Sequence, residues 1–221
     1  MAGIDKIVTH GTFKLDGGSW EVDNNIWIVG DDSDVVVFDA AHTAEPIVAA
    51  VGNRNVVAVV CTHGHNDHVT VAPELGAALD APVLLHPGDD VLWRMTHPDK
   101  DFRTIADGDT IDVAGTELLA LHTPGHSPGS VCWYAPELGV VFSGDTLFSG
   151  GPGATGRSYS DFPTILQSIS GGRALPDDIA VTYPAHWESA AVEALGAALG
   201  EIPEWSRRAR PIVLIPDAAA A

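Results

Sequence analysis

Val56-Val57-Ala58-Val59-Val60-Cys61-Thr62-His63-Gly64-His65-Asn66-Asp67-His68 is the stretch whose reading decides the rest of the chain. Its first half is apolar and mostly β-branched, the composition of a buried strand. Its second half crowds three imidazoles and a carboxylate into six residues, His63 to His68. Imidazole nitrogen and carboxylate oxygen are the donor types that suit zinc, iron or manganese. The run therefore sits where a buried strand ends and the chain turns. In an extended segment alternate side chains share a face. On that basis His63, His65 and Asp67 are expected on one side and His68 on another, an arrangement that can serve two metals. The competing reading is a His-rich surface loop.

Working outward, three more apolar runs end in polar loops that carry His or Asp. Leu118 to His122 leads into Thr123-Pro124-Gly125-His126-Ser127-Pro128-Gly129, Gly139 to Phe142 into Ser143-Gly144-Asp145-Thr146, and Ile179 to Tyr183 into Pro184-Ala185-His186. Donors at the ends of several strands converge at one edge of a sheet, where α/β folds place their sites. Further strands are expected at 25–29, 35–39, 82–86, 110–113 and 131–134. Helices are expected at 44–51, 71–79, 89–95, 161–170 and 189–199. Gly30 to Ser33 reads as a hairpin turn, and Gly150 to Arg157 as a Gly-rich loop. No linker of domain size interrupts the chain. The expectation is a single domain over 1–221, with its core at about 20–200 and a loose tail at 211–221. Strands and helices mixed in each half suggest two packed sheets with helices outside.

The chain has 221 residues, 45% of them hydrophobic and 19% charged, as in a globular protein. Its formal net charge of −19 argues against nucleic acid or an anionic membrane as a partner, because Lys/Arg clusters supply that affinity. The N-terminus shows no apolar signal segment, and no run approaches membrane-spanning length, so a cytoplasmic protein is expected. The two cysteines, Cys61 and Cys132, lie in apolar runs and read as buried free thiols.

The ordered set His63-x-His65-x-Asp67-His68, His126 in TPGHSPGS, Asp145 in SGDTLF and His186 in YPAH resembles the metallo-β-lactamase superfamily over about residues 20–190. The resemblance implies an αββα sandwich of two mixed β-sheets flanked by helices, with a site for up to two metals. It implies that His63, His65 and His126 bind the first metal, that Asp67, His68 and His186 bind the second, and that Asp145 bridges them. Two Zn2+ are the expected cofactor, with iron or manganese as alternatives. Within the superfamily, the GDTLF run and Gly156-Arg157 look like glyoxalase II. That likeness implies a metal-dependent hydrolase that uses a metal-bound hydroxide to cleave a small-molecule thioester or similar activated ester. A lactonase, or a mononuclear iron persulfide dioxygenase using His63, His126 and Asp145, are the alternatives. Only 35 residues follow His186, so no counterpart is expected of the helical region that holds glutathione in glyoxalase II.

The chemistry accounts for the same residue types. Two ions sharing one water lower its pKa towards neutrality. Asp67 can both ligate and aim that water, so it is the candidate catalytic residue. A thiol, with a pKa near 8.5, leaves without a strong general acid. Arg157, in a Gly-rich loop after Asp145, is the candidate for binding a substrate carboxylate. Asp39, at a strand end, can bond backbone amides or support the metal site. His10, His97 and His122 read as surface or strand residues, His42 and His86 as structural, and Tyr183 and Trp187 as packing residues.

Overall fold

The computed structural model describes residues 2–148 and 151–170, together with the backbone of three short strands, Ile179–Ala180, Arg210–Pro211 and Val213–Ile215. The first sheet has six strands in sequence order: β1 (Gly3–Leu15), β2 (Gly18–Gly30), β3 (Asp34–Phe38), β4 (Asn55–Val60), β5 (Val83–Leu85) and β6 (Arg103–Thr104). β1 to β3 are antiparallel and β3 to β6 parallel. Each parallel step needs a crossover. Helices α1 (Ala44–Val51), α3 (Ala72–Ala78) and α4 (Asp90–Thr96) supply them, and α2 (Asn66–Val69) is a single turn just after β4. The second sheet carries β7 (Thr110–Val113), β8 (Thr116–His122), β9 (Val131–Ala135) and β10 (Val140–Phe142), with Val213–Ile215 parallel to β10. Helix α5 spans Phe162–Ser170. No helix among the described residues is long and apolar enough to cross a membrane.

The strand pleat divides the core in two. Val36 and Phe38 of β3 point into a cluster with Trp133 of β9 and Phe142 of β10, between the sheets. Their neighbours Val35 and Val37 point the other way, onto Ile47, Leu75 and Trp93 of the crossover helices. Phe38 is the joint of the inter-sheet layer. Its ring stacks on Phe142 with centroids 4.6 Å apart and meets Trp133 edge-on at 6.0 Å. Outer helices, two central sheets and an apolar layer between them make this the expected sandwich. Both cysteines are free and buried.

The elements differ from the expected ones chiefly at the N-terminus. β1 and the first half of β2 form a long hairpin that was not anticipated. Only Thr9 and Leu15 of β1 are buried, so its sequence carries almost no alternation to read. The turn between β1 and β2 is Asp16-Gly17, both with positive φ as an Asp-Gly hairpin turn requires, a local signal that the sequence reading did not use. Of the strand expected at 179–183, Ile179–Ala180 is seen. Tyr183, His186, Trp187, the helix expected at 189–199 and the end of the tail lie outside the described residues.

Removing the Phe38 ring leaves a cavity between the sheets. Phe38→Ala should destabilise the protein by about 3–5 kcal/mol, the range for truncating a buried aromatic side chain. Urea unfolding followed by tryptophan fluorescence measures this; a loss below about 1 kcal/mol would mean that the sheets are held elsewhere.

Candidate metal centre

The first sheet ends β3 and β4 side by side, and their loops build the site. Asp39 follows β3 with a positive φ of 56° and is fully buried. Its Oδ1 accepts from the Thr62 amide at 2.7 Å, and its Oδ2 accepts from Thr62 Oγ1 at 2.8 Å and His68 Nδ1 at 2.9 Å. Asp39 thus does both things considered for it, holding a backbone amide and orienting an imidazole. The His63–His68 run is not extended throughout. His65, at φ −64° and ψ 147°, caps α2, and Asp67 and His68 stand on that helical turn. The helical step, rather than strand alternation, sets where Asp67 and His68 point; Asp67 still lines the same cavity as His65.

His126 comes from the β8–β9 turn. That turn approaches α5 so closely that a Cβ on Gly125 would lie 2.2 Å from the Ile165 nitrogen, and Gly125 has φ of 134°. Asp145 comes from a short 3-10 turn, Gly144–Thr146, after β10. Six of the seven proposed ligands meet here, and His186 lies outside the described residues. The donor atoms of His63, His65 and His126 lie within 4.8 Å of one another, and so do those of His63, His68 and Asp145. His65 Nδ1 and His126 Nε2 are 3.0 Å apart. Asp145 faces both groups, with Oδ1 3.5 Å from His68 Nε2 and Oδ2 3.5 Å from His126 Nε2. That is the position of a carboxylate able to bridge.

The imidazoles are held from behind. His126 Nδ1 donates to the Ala154 carbonyl at 2.8 Å, and His63 Nδ1 contacts Thr62 Oγ1 at 3.2 Å. Such outer bonds fix ring orientation and leave the other nitrogen to ligate. Burial, helped by the neighbouring imidazoles, pushes His63 and His65 well below the usual histidine pKa, so both are neutral. At His68 burial acts the same way, but Asp145, Asp67 and Asp39 outweigh it and raise the group to about 10. Burial raises the Asp145 carboxyl against the pull of His68 and His126. The three carboxylates around His68 favour positive charge there, which a divalent ion supplies when bound. Buried polar atoms normally have partners. Here His63 Nε2, His65 Nε2, Asp67 Oδ1 and Asp145 Oδ1 have none among the described residues. Neutral imidazoles, carboxylates and orphaned donor atoms fit divalent metal.

A cavity of about 350 Å³ opens onto His65, Asp67, His126 and Asp145. Phe13, Leu15, Trp20 and Val22 of the β1–β2 hairpin form one wall, and Arg157 lies against it. The Arg157 guanidinium carbon sits 3.9 Å from the Trp20 ring centroid and 5.2 Å from that of Phe13. His10, His86, His97 and His122 make their contacts away from the donor cluster. His10 pairs with Asp23 and Glu21 on the surface, His97 bonds the Val69 carbonyl, and His86 stacks on His122 at 4.0 Å. His42 bonds Asn24.

One residue that the sequence reading passed over ties the site together. Asp89, fully buried, accepts from the Gly64 amide and Ser127 Oγ, both at 2.7 Å, and from the Gly129 amide at 2.5 Å. It clamps the His63–His65 loop to the His126 turn. It is one Asp in Gly88-Asp89-Asp90 at a helix start, and nothing local marks its long-range partners.

Residues 20–194 match the model of the metallo-beta-lactamase superfamily. The chain belongs to that superfamily. It is 33% identical over 159 residues to the hydroxyacylglutathione hydrolase of Salmonella paratyphi B, covering 71% of this chain and 59% of that one. It thus spans about three-fifths of the length of that relative. Among solved structures it is similar to TTHA1623 in a di-iron-bound form, at 30% identity and a TM-score of 0.61, covering 71% of this chain and 84% of the other. ETHE1 from Myxococcus xanthus, at 22% identity and a TM-score of 0.55 over 73% of this chain and 68% of the other, shares the fold. The chain is hydrolase-like within the superfamily, with a His- and Asp-rich site suited to metal.

Asp89→Ala should leave three buried donors without their acceptor, each costing about 1–3 kcal/mol. The expected result is a markedly lower unfolding temperature, together with ~10–100-fold weaker metal binding. Asp89→Asn, which keeps one acceptor oxygen, should fall between. Thermal unfolding and metal titration of the three proteins check this; unchanged metal affinity in Asp89→Ala would separate the clamp from the site.

Proposed function

We propose that this chain is a metal-dependent hydrolase of the glyoxalase II-like kind, which binds two zinc ions and cleaves a small-molecule thioester. The observation that carries the reading is the pair of ligand groups sharing His63 and spanned by Asp145, set at the floor of an open cavity. The likeness to a hydroxyacylglutathione hydrolase and to a di-iron form of TTHA1623 supports a two-metal hydrolytic site. In the assignment, His63, His65 and His126 hold one ion, and Asp67, His68 and His186 the other, with Asp145 between them. Ions bound there would acidify water and polarise the acyl carbonyl.

The chain's own residues do the rest. Asp67 is 6% exposed and keeps Oδ1 free of hydrogen bonds among the described residues, so it can accept a proton from the attacking water and aim its lone pair. Asp39 fixes His68 through Nδ1, so that Nε2 faces Asp145. The aromatic hairpin wall and Arg157 supply contacts remote from the scissile bond, which hold the acyl group in reactive geometry. Arg157, stacked on Trp20, keeps its charge at the cavity edge, where a substrate carboxylate can dock. A thiolate leaves without a dedicated acid.

The test is hydrolysis of a panel of thioesters and lactones, glutathione thioesters included, by the wild type, Asp67→Asn and Arg157→Ala. Thioester cleavage should fall by at least ~100-fold in Asp67→Asn with the fold intact. Arg157→Ala should raise KM for the preferred carboxylate-bearing substrate and leave a small neutral ester nearly unchanged. Near wild-type turnover by Asp67→Asn would remove its catalytic role. Oxygen uptake on persulfides by a protein holding a single iron, with no thioester cleavage, would overturn the hydrolase reading.

A further inference from the structure

Asn24, in the middle of β2, is fully buried yet wholly polar. Its Nδ2 lies 3.2 Å from Asp67 Oδ2 and 3.2 Å from His68 Nε2, and its Oδ1 lies 2.8 Å from His42 Nε2. The amide sits between a surface-side imidazole and two members of the metal cluster. Its orientation is forced. Turned over, Oδ1 would face a carboxylate oxygen at 3.2 Å, acceptor against acceptor, and Nδ2 would face His42 Nε2. With Nδ2 donating to Asp67, Oδ1 is left to accept from His42, which places the His42 proton on Nε2 and holds the amide from its other end.

The consequence falls on Asp67. One carboxylate oxygen, Oδ2, is engaged by Asn24, while Oδ1 is buried and has no hydrogen-bond partner among the described residues. We infer that Asn24 is a positioning residue that selects which oxygen of Asp67 faces the metal site, and that His42 locks Asn24 in the sense required. This rests on the two-ion site proposed above.

The rest of the molecule is built to keep this relay. His42 adopts a positive φ of 58° in the turn after β3, and Thr9 Oγ1 donates to the Ala41 carbonyl at 3.0 Å to hold that turn. Its ring fits against β1 only because residue 11 is glycine. A Cβ there would lie 2.2 Å from His42 Nδ1. His42 is partly exposed, so changing it disturbs little of the core. Outer partners of metal ligands are worth ~10–100-fold in metal affinity or activity.

The experiment titrates metal-free wild type, Asn24→Ala, His42→Phe and His42→Gln with cobalt(II), followed by its visible bands, and measures kcat and KM on one thioester. The wild type should take up two ions. Asn24→Ala should bind the second ion ~10–100-fold more weakly with the first unchanged, and should lose kcat while KM stays near wild type. His42→Phe should show the same pattern, and His42→Gln, whose amide can donate to Asn24 Oδ1, should recover it. Two ions of wild-type affinity in both Asn24→Ala and His42→Phe would overturn the inference. So would a His42→Gln protein as impaired as His42→Phe. If circular dichroism shows that Asn24→Ala does not fold, the His42 pair decides alone. A wild type that fails to bind two ions counts against the proposed function itself, whereas two ions in the wild type with unaffected variants counts only against the relay.

Discussion

Three carboxylates, Asp39, Asp67 and Asp145, converge on the buried imidazole of His68, and the rest of the site is arranged around that concentration of charge. Each group alone would be costly to bury, and removing one partner would strand the others. The protein offsets the cost with backbone amides and hydroxyls, from Thr62 onto Asp39 and from Gly64, Ser127 and Gly129 onto Asp89. What is left over is a set of buried donor atoms without hydrogen-bond partners among the described residues. Positive charge is favoured at that point, and the donor set suits a divalent metal.

The fold makes the convergence possible. Parallel strands β3 and β4 deliver Asp39 and the histidine run to the same edge, and the second sheet delivers His126 and Asp145 to the same place. The apolar layer around Phe38, Trp133 and Phe142 keeps the two edges in register. Site geometry and inter-sheet packing are therefore one problem. A small shift between the sheets moves His126 and Asp145 against His63 and His68 together.

Much of this was legible in the chain. The ordered histidines and aspartates name the superfamily, and apolar runs ending in them place the site at strand ends. The crossover helices stood out because each has an apolar face to bury. The β1–β2 hairpin did not, since β1 is exposed along most of its length and shows no period. Its aromatic residues, Phe13 and Trp20, form the cavity wall that the sequence reading left unassigned. Asp89 and Asn24 were invisible for another reason. Their partners lie 18 or more residues away, and a buried polar residue shows its purpose only when those partners are in place. Strict alternation does not describe the run from His63 to Asp67, because the helical turn α2 begins at Asn66, a local geometry that period-two reasoning does not contain.

The central claim is that these side chains hold two metal ions side by side. Crystals of the protein as purified, measured at the absorption edge of the metal that it carries, test this most directly through an anomalous difference map. The account predicts two peaks per chain, one among His63, His65 and His126 and the other beside His68 and Asp145. A single peak, or peaks away from these residues, would contradict it.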